Sequence, residues 1–306
     1  MHCRSLRFLA CIASWETALR TILFGGVFAA MCGCACAAAG TDTPASPSAS
    51  GDGSDIRIVR QDVSSTLPAG QALVVDNPYG DVRLRFGGYE NVLELHAVTQ
   101  QPAAGKTIAL KPSVDGDRYR IAPRLPEGTL VAPGQRLDMV ILVPLGHAVS
   151  VHTERGLIES RGVRADIELR STAGDIAVRG TQGSVHAETG PGSIEASLGK
   201  APAGSRQRLA TSTGNIILAV DDGLDAHLEL ATSAAFATEY SLQVTHLPGQ
   251  EPNKQARALV GDDRASIVVE SRRGEIRLLR RSGFMSTDPE SGQKEETEEE
   301  ADSDSD

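Results

Sequence analysis

The chain has 306 residues, 40% of them apolar but only 4% aromatic, so any core must be built from Val, Ile, Leu and Ala. The net charge of −10 is uneven: residues 1–39 are net +2 and residues 286–306 net −9, which leaves a nearly neutral middle. Such a body lacks the clustered Lys and Arg that neutralise phosphates, so nucleic acid is not expected as a partner.

In chain order, Arg4, Arg7 and Arg20 precede an apolar run from Ile22 to Met31, and small residues follow through Ala39. Basic, apolar, then small is the order of a secretory signal, here expected over residues 1–39, and the run is too short for a stable membrane span. Ala37 to Ala39 suit cleavage before Gly40. Lipidation of Cys34 or Cys36, giving membrane attachment, and retention as an anchor are the alternatives. All five cysteines and the single tryptophan, Trp15, lie in the first 36 residues. A chain that loses them has no thiol, disulfide or cysteine metal site. Residues 40–54 contain only Gly, Thr, Asp, Pro, Ala and Ser, too little apolar surface to offset ordering, and read as a flexible linker.

Strands are expected at Gln71–Val75, Val82–Phe86 and Val92–Val98. Thr107–Leu110 and Arg118–Ala122 read as a hairpin joined through Asp115-Gly116, and Arg136–Val143 as a strong strand turned at residues 144–146. From there the chain repeats. Gly156, Gly174, Gly192 and Gly214 are spaced by 18, 18 and 22 residues, each followed two positions later by Ile158, Ile176, Ile194 and Ile216. A fifth copy stands at Gly274-Glu-Ile276 and a weaker early one at Gly80-Asp-Val82. Within a copy, apolar and polar residues alternate, as in Asp166-Ile-Glu-Leu169, the period-2 signature of a half-buried strand. Each unit reads as two short strands about a polar turn, with its glycine tolerating a positive φ.

Such units bury their apolar face only by stacking. The predicted fold is all-β: a β-solenoid-like stack with a repeat of approximately 18 residues, over residues 55–283. A β-sandwich is the alternative, and the constant period favours the solenoid. In that stack Ile176 faces inward and Asp175 faces water, so that Asp175→Ser would cost under about 0.5 kcal/mol. Residues 221–264 read as a long insertion, strand-like at Leu228 to Leu230 and a loop over residues 247–256. Residues 284–306 are acidic and read as a disordered, solubilising tail, or a contact for a basic partner or divalent ions.

Residues 142–151 (LVPLGHAVSV), followed by Gly156 and repeated Ser/Thr-x-x-Gly-Asp/Asn/Ser-Ile, resemble the DUF4097 family of bacterial candidate adhesins over roughly residues 70–281. The resemblance implies a β-solenoid-like fold, export or anchoring, and adhesion at the cell surface. It carries over no catalytic residues. The chain departs from the pattern at Leu157, where the acidic residue is missing, and in the turn from Glu270 to Gly274; both are expected to face solvent.

No catalytic, cofactor-binding or metal-binding residue is predicted, and no cofactor. The seven histidines (His2, His96, His147, His152, His186, His227 and His246) show no ligand spacing and read as exposed strand or turn residues. The acidic clusters at Asp221-Asp222-Gly223 and Gly261-Asp262-Asp263 read as turns rather than calcium sites. Gly190-Pro191-Gly192 reads as a turn without phosphate-loop chemistry. An outward row of Glu154, Glu159, Glu168, Asp175, Glu188 and Glu195 is the one candidate for a glycosidic carboxylate pair. Interleaved Arg155, Arg161, Arg170 and Arg179 make solvation and cross-strand pairing the preferred reading. The expected function is therefore a non-enzymatic exported envelope or cell-surface binding module of adhesin type, with a protein or polysaccharide ligand. A structural or regulatory envelope scaffold comes second, and a polysaccharide-acting enzyme third.

Overall fold

The computed structural model describes residues 56–103, 106–124, 134–221 and 223–281. The expected signal, linker and acidic tail lie outside the described residues. Alternating sequence yields strands throughout, with no α-helix among the described residues. The chain opens with β1 (Ile56–Thr66), β2 (Ala72–Asn77), β3 (Val82–Phe86) and β4 (Val92–Pro102). Four short strands follow, β5 (Ala109–Leu110), β6 (Ser113–Asp115), β7 (Arg118–Ile121) and β8 (Pro123–Arg124), and then β9 (Arg136–Val143). The repeat proper comprises β10 (Val149–Thr153) with β11 (Ile158–Arg161), and β12 (Ile167–Ser171) with β13 (Ile176–Arg179). It continues with β14 (Val185–Thr189) and β15 (Ile194–Leu198), then β16 (Arg206–Thr211) and β17 (Ile216–Val220). The remainder is β18 (Ala226–Thr232), β19 (Phe236–Thr238), β20 (Gln243–His246), β21 (Lys254–Val260), β22 (Ala265–Ser271) and β23 (Ile276–Arg280).

Each repeat contributes one strand to an eleven-stranded sheet, here sheet B, and the next to a ten-stranded sheet, sheet A. Successive copies pair in parallel and in phase. Val149 stands beside Ile167 and Ile167 beside Val185 in sheet B. In sheet A the column runs Val82, Ile158, Ile176, Ile194, Ile216, Ile276. These side chains are buried between the sheets, and the residues alternating with them are partly or fully exposed. The spacing of 22 arises where residues 199–205 widen the turn between β15 and β16 without shifting the register.

The stack does not follow chain order at its ends. The rung β22–β23, last in sequence, lies between β16–β17 and β18–β19. Residues 221–264 are therefore not a mere insertion. They supply the terminal rung, which β21 covers by pairing antiparallel with β18. The expected loop over residues 247–256 is confined to the turn before β21, because β21 starts at Lys254. The other end mirrors this: β7 and β9 lie outside the earlier β2 and β3. There β4 pairs antiparallel with β9, and β1 with β4. The hairpin at Asp115-Gly116 joins β6 to β7, while Ala109–Leu110 pairs instead with β8.

The bend between the sheets explains the motif. The Ser/Thr is buried, and in the later copies its hydroxyl donates to the glycine carbonyl of the neighbouring rung: Thr189 to Gly174 at 2.7 Å, Thr211 to Gly192 at 2.8 Å, Ser271 to Gly214 at 2.8 Å. Thr232 donates to Gly274 at 2.7 Å, so these bonds follow spatial rather than sequence order. The motif glycines do not have positive φ, contrary to expectation. They are needed because a Cβ at Gly174 or Gly192 would collide with the carbonyl of the glycine beneath. Left-handed glycines occur instead at the opposite turn, as at Gly162 (φ 71°) and Gly180 (φ 67°). The acidic position bridges rungs too. Asp175 accepts the Ser193 N–H at 2.7 Å and Asn215 the Glu275 N–H at 2.8 Å. At Leu157, where the motif lacks its acid, the N–H is taken by Asp81 of the rung below at 2.9 Å. Asp175 thus faces water yet caps a backbone donor, which overturns its reading as an inert surface residue.

Candidate functional site

The expected row of carboxylates is not a row. Glu159 and Glu195 lie on the outer face of sheet A, Glu168 and Glu188 on sheet B, and Glu154 and Asp175 at the bends. The chain changes sheet after every strand of the repeat, so residues close in sequence part to opposite faces. On sheet B, Glu168 pairs with Arg170 at 2.6 Å, two residues along the same strand rather than across strands. Glu159 and Glu195 are separated by Ala177 on the intervening strand, and Glu168 and Glu188 stand opposite His186 and Arg170 rather than each other.

What sheet A does assemble is arginine. Parallel in-phase pairing places Arg85, Arg161 and Arg179 side by side on three adjacent strands. In the next column Arg83 stands beside Glu159. Strands about 4.8 Å apart bring these like charges close, which is unfavourable unless compensated. Glu159 compensates: it lies 2.8 Å from Arg85, 3.5 Å from Arg161 and 3.7 Å from Arg83. Arg179 pairs with Glu195 at 2.7 Å. Four guanidinium groups thus meet two carboxylates on this part of the sheet, and each guanidinium remains partly open to solvent. Arg83 also approaches Asp81 at the bend, at 3.4 Å.

Burial opposes ionisation of Glu159, whose side chain is 16% exposed, but the hydrogen bond and charge of Arg85 and the charges of Arg161 and Arg83 outweigh it. Its carboxyl is held below the ordinary value near 4.5. The pair therefore contributes fully above that ordinary value, and the contribution is lost as pH falls through the lower folded value. Glu159→Gln should cost about 1–2 kcal/mol at neutral pH and almost nothing in strong acid. Urea midpoints measured at neutral pH and below about pH 3 check this; an equal loss at both would contradict it.

An aromatic corner adjoins the end of β3. Phe86 and Tyr89 meet edge to face, with ring centres 5.5 Å apart at 82°. The Arg164 guanidinium lies 4.6 Å from the Phe86 ring centre and donates to the Tyr89 hydroxyl at 2.7 Å. Tyr89 is 70% exposed, so an aromatic-poor chain presents an aromatic ring to solvent beside Arg164. The repeat signals this site only in part. Arg161 and Arg179 are 18 apart and visibly in phase, whereas Arg83 and Arg85 join them only because β3 stacks on β11.

No family model matches the chain, and no curated protein matches it. Solved structures similar to it include the following three. One is a candidate cell-adhesion protein of Clostridium sporogenes, 13% identical, covering 72% of this chain and 100% of its own, with a TM-score of 0.38. A candidate adhesin of Bacteroides fragilis is 11% identical over 73% of this chain and 97% of its own, with a TM-score of 0.31. A candidate adhesin of Parabacteroides distasonis is 10% identical over 74% of this chain and 98% of its own, with a TM-score of 0.29. Likenesses this loose establish neither a family nor a function.

The histidines and acidic turns place as follows. His147 is buried, with Nδ1 2.8 Å from the Gln71 carbonyl, and is not the exposed residue expected. His96 pairs with Asp62 at 2.8 Å and His152 with Asp76 at 3.2 Å, on different sheets. Asp262 and Asp263 are engaged by Arg264 and His227, in keeping with turn chemistry. Asp221 pairs with Arg281 at 3.0 Å; Asp222 lies outside the described residues. Among the described residues no group of three or more His, Cys, Asp or Glu could hold a metal ion.

Proposed function

We propose that the protein is an exported, non-enzymatic binding module of adhesin type, whose binding face is the arginine-bearing part of sheet A and whose ligand is an acidic cell-surface polysaccharide. The observation that carries this reading is the in-register stack Arg85–Arg161–Arg179 with Arg83, four guanidinium groups set against Glu159, Glu195 and, at the bend, Asp81. A parallel ladder repeats its charges at the strand spacing, which suits a polymer of repeating anionic units better than a compact ligand. The exposed Tyr89, just past the end of β3, offers a ring for sugar stacking. Export rests on the basic, apolar and small order of residues 1–39.

Calorimetric titration of the purified protein with a polyuronate, and with a neutral glucan as control, tests this. The polyuronate should bind, with an affinity that falls as salt rises. Arg161→Glu with Arg179→Glu should weaken binding roughly tenfold or more while leaving the β circular dichroism intact. The length of the polyuronate should not change on incubation. Equal binding of the neutral glucan, or unchanged affinity in the double variant, would overturn the assignment.

A further inference from the structure

The two sheets expose four edge strands among the described residues, and three of them are short: β6, β19 and β20 have three, three and four residues. The fourth, β1, is eleven residues long and pairs only with β4. A long open edge is a template for another strand. Just past β1 the Leu67 N–H donates to the Asn91 carbonyl at 2.8 Å. Hydrogen-bonded pairs recur at every second residue of an antiparallel ladder, so odd-numbered β1 residues bond to β4. Ile58, Arg60, Asp62 and Ser64 therefore aim their backbone N–H and C=O groups at the open edge.

We infer that β1 pairs antiparallel with β1 of a second copy of this chain, about a two-fold axis at Gln61. The charges choose the register. With the axis at Gln61, Arg60 of each copy faces Asp62 of the other and Val59 faces Val63. One residue earlier sets Arg60 against Arg60, and one residue later sets Asp62 against Asp62. Two residues either way leaves both charges opposite uncharged residues. The Arg60 side chain makes no ion pair among the described residues. Asp62 is largely exposed and already accepts His96 at 2.8 Å, which leaves its other oxygen for Arg60 of the second copy. In this register the outward-pointing backbone groups from Ile56 to Thr66 form about a dozen hydrogen bonds across the axis. Ile56 and Ile58, 60% and 58% exposed, sit at the ends of the pairing opposite Thr66 and Ser64. Gln61 donates from Nε2 to the Ile108 carbonyl at 3.0 Å on the inner face, which holds the strand in place for pairing.

Sedimentation equilibrium on the full chain, purified as the cell processes it, should show a dimer. Arg60→Asp and Asp62→Arg should each weaken dimerisation roughly tenfold or more by facing like charges. The double variant exchanges the pair and should restore the wild-type constant to within about threefold. Melting temperatures near wild type establish that all three variants are folded. A monomeric wild type, a dimer indifferent to either single change, or a folded double variant that stays monomeric would each overturn the inference.

Discussion

Gly192→Ala is expected to be among the most damaging single-methyl changes in this protein. The added Cβ would fall on the Gly174 carbonyl, with Thr189 Oγ1 at 2.8 Å on another side. Neither can withdraw. The Gly174 carbonyl accepts the Thr189 hydroxyl at 2.7 Å, and both backbones are fixed by pairing in the adjoining strands. The expected cost is about 3 kcal/mol or more, against a total stability of about 5–15 kcal/mol. For a body of this size that lowers the melting temperature by roughly 6–12 °C. Gly204→Ala is the comparison. Gly204 has φ 74° with nothing within 4 Å of an added Cβ, so only the left-handed backbone strain of about 1–2 kcal/mol applies. If urea denaturation ranks the two variants the other way, the contact between rungs is not what requires glycine at position 192.

That glycine also shows how far the sequence could be read. Its position in an 18-residue period is visible, and so is the column of isoleucines two residues later, because parallel stacking repeats identical environments at a fixed interval. The reason for the glycine is not visible. A turn glycine and a close-approach glycine look alike in one dimension, and the distinction lies in what the adjoining rung places above it. The same limit hid the exchanged order of the terminal rungs. Pairing of β22 with both β16 and β18 is a contact between segments separated by dozens of residues, and no local turn signal encodes it. It hid the arginine face as well. Arg161 and Arg179 keep the repeat phase, but Arg85 reaches them from 76 residues away, across β4 and β9, which cap the outer end of the stack. The carboxylate row failed for a different reason. Alternation within one strand is legible, but alternate strands belong to opposite sheets, so a linear row of acids is dealt out to two faces.

The in–out assignment at the heart of the stack makes a second large prediction. Ile176 is 1% exposed between Ile158 and Ile194 on the neighbouring strands. Ile176→Asp would bury a carboxylate with no cation in reach of that column, at a cost of about 4 kcal/mol or more. Ile194→Ala removes three carbons from the same column and should cost about 2–5 kcal/mol, according to how far the rungs can close on the cavity. Asp175, one residue before Ile176, points to water but accepts the Ser193 N–H at 2.7 Å. Asp175→Ser shortens that acceptor and should cost about 1 kcal/mol, as loss of a backbone cap does, rather than nothing. Asp175→Asn keeps an oxygen in reach, as Asn215 does for Glu275 at 2.8 Å, and should cost under about 0.5 kcal/mol. Denaturant midpoints for the four variants should therefore fall in the order Ile176→Asp lowest, then Ile194→Ala, Asp175→Ser and Asp175→Asn. A Asp175→Asn variant as unstable as Asp175→Ser would mean that the carboxylate acts through its charge and not as a cap, and an Ile176→Asp variant as stable as either would mean that the column is not interior.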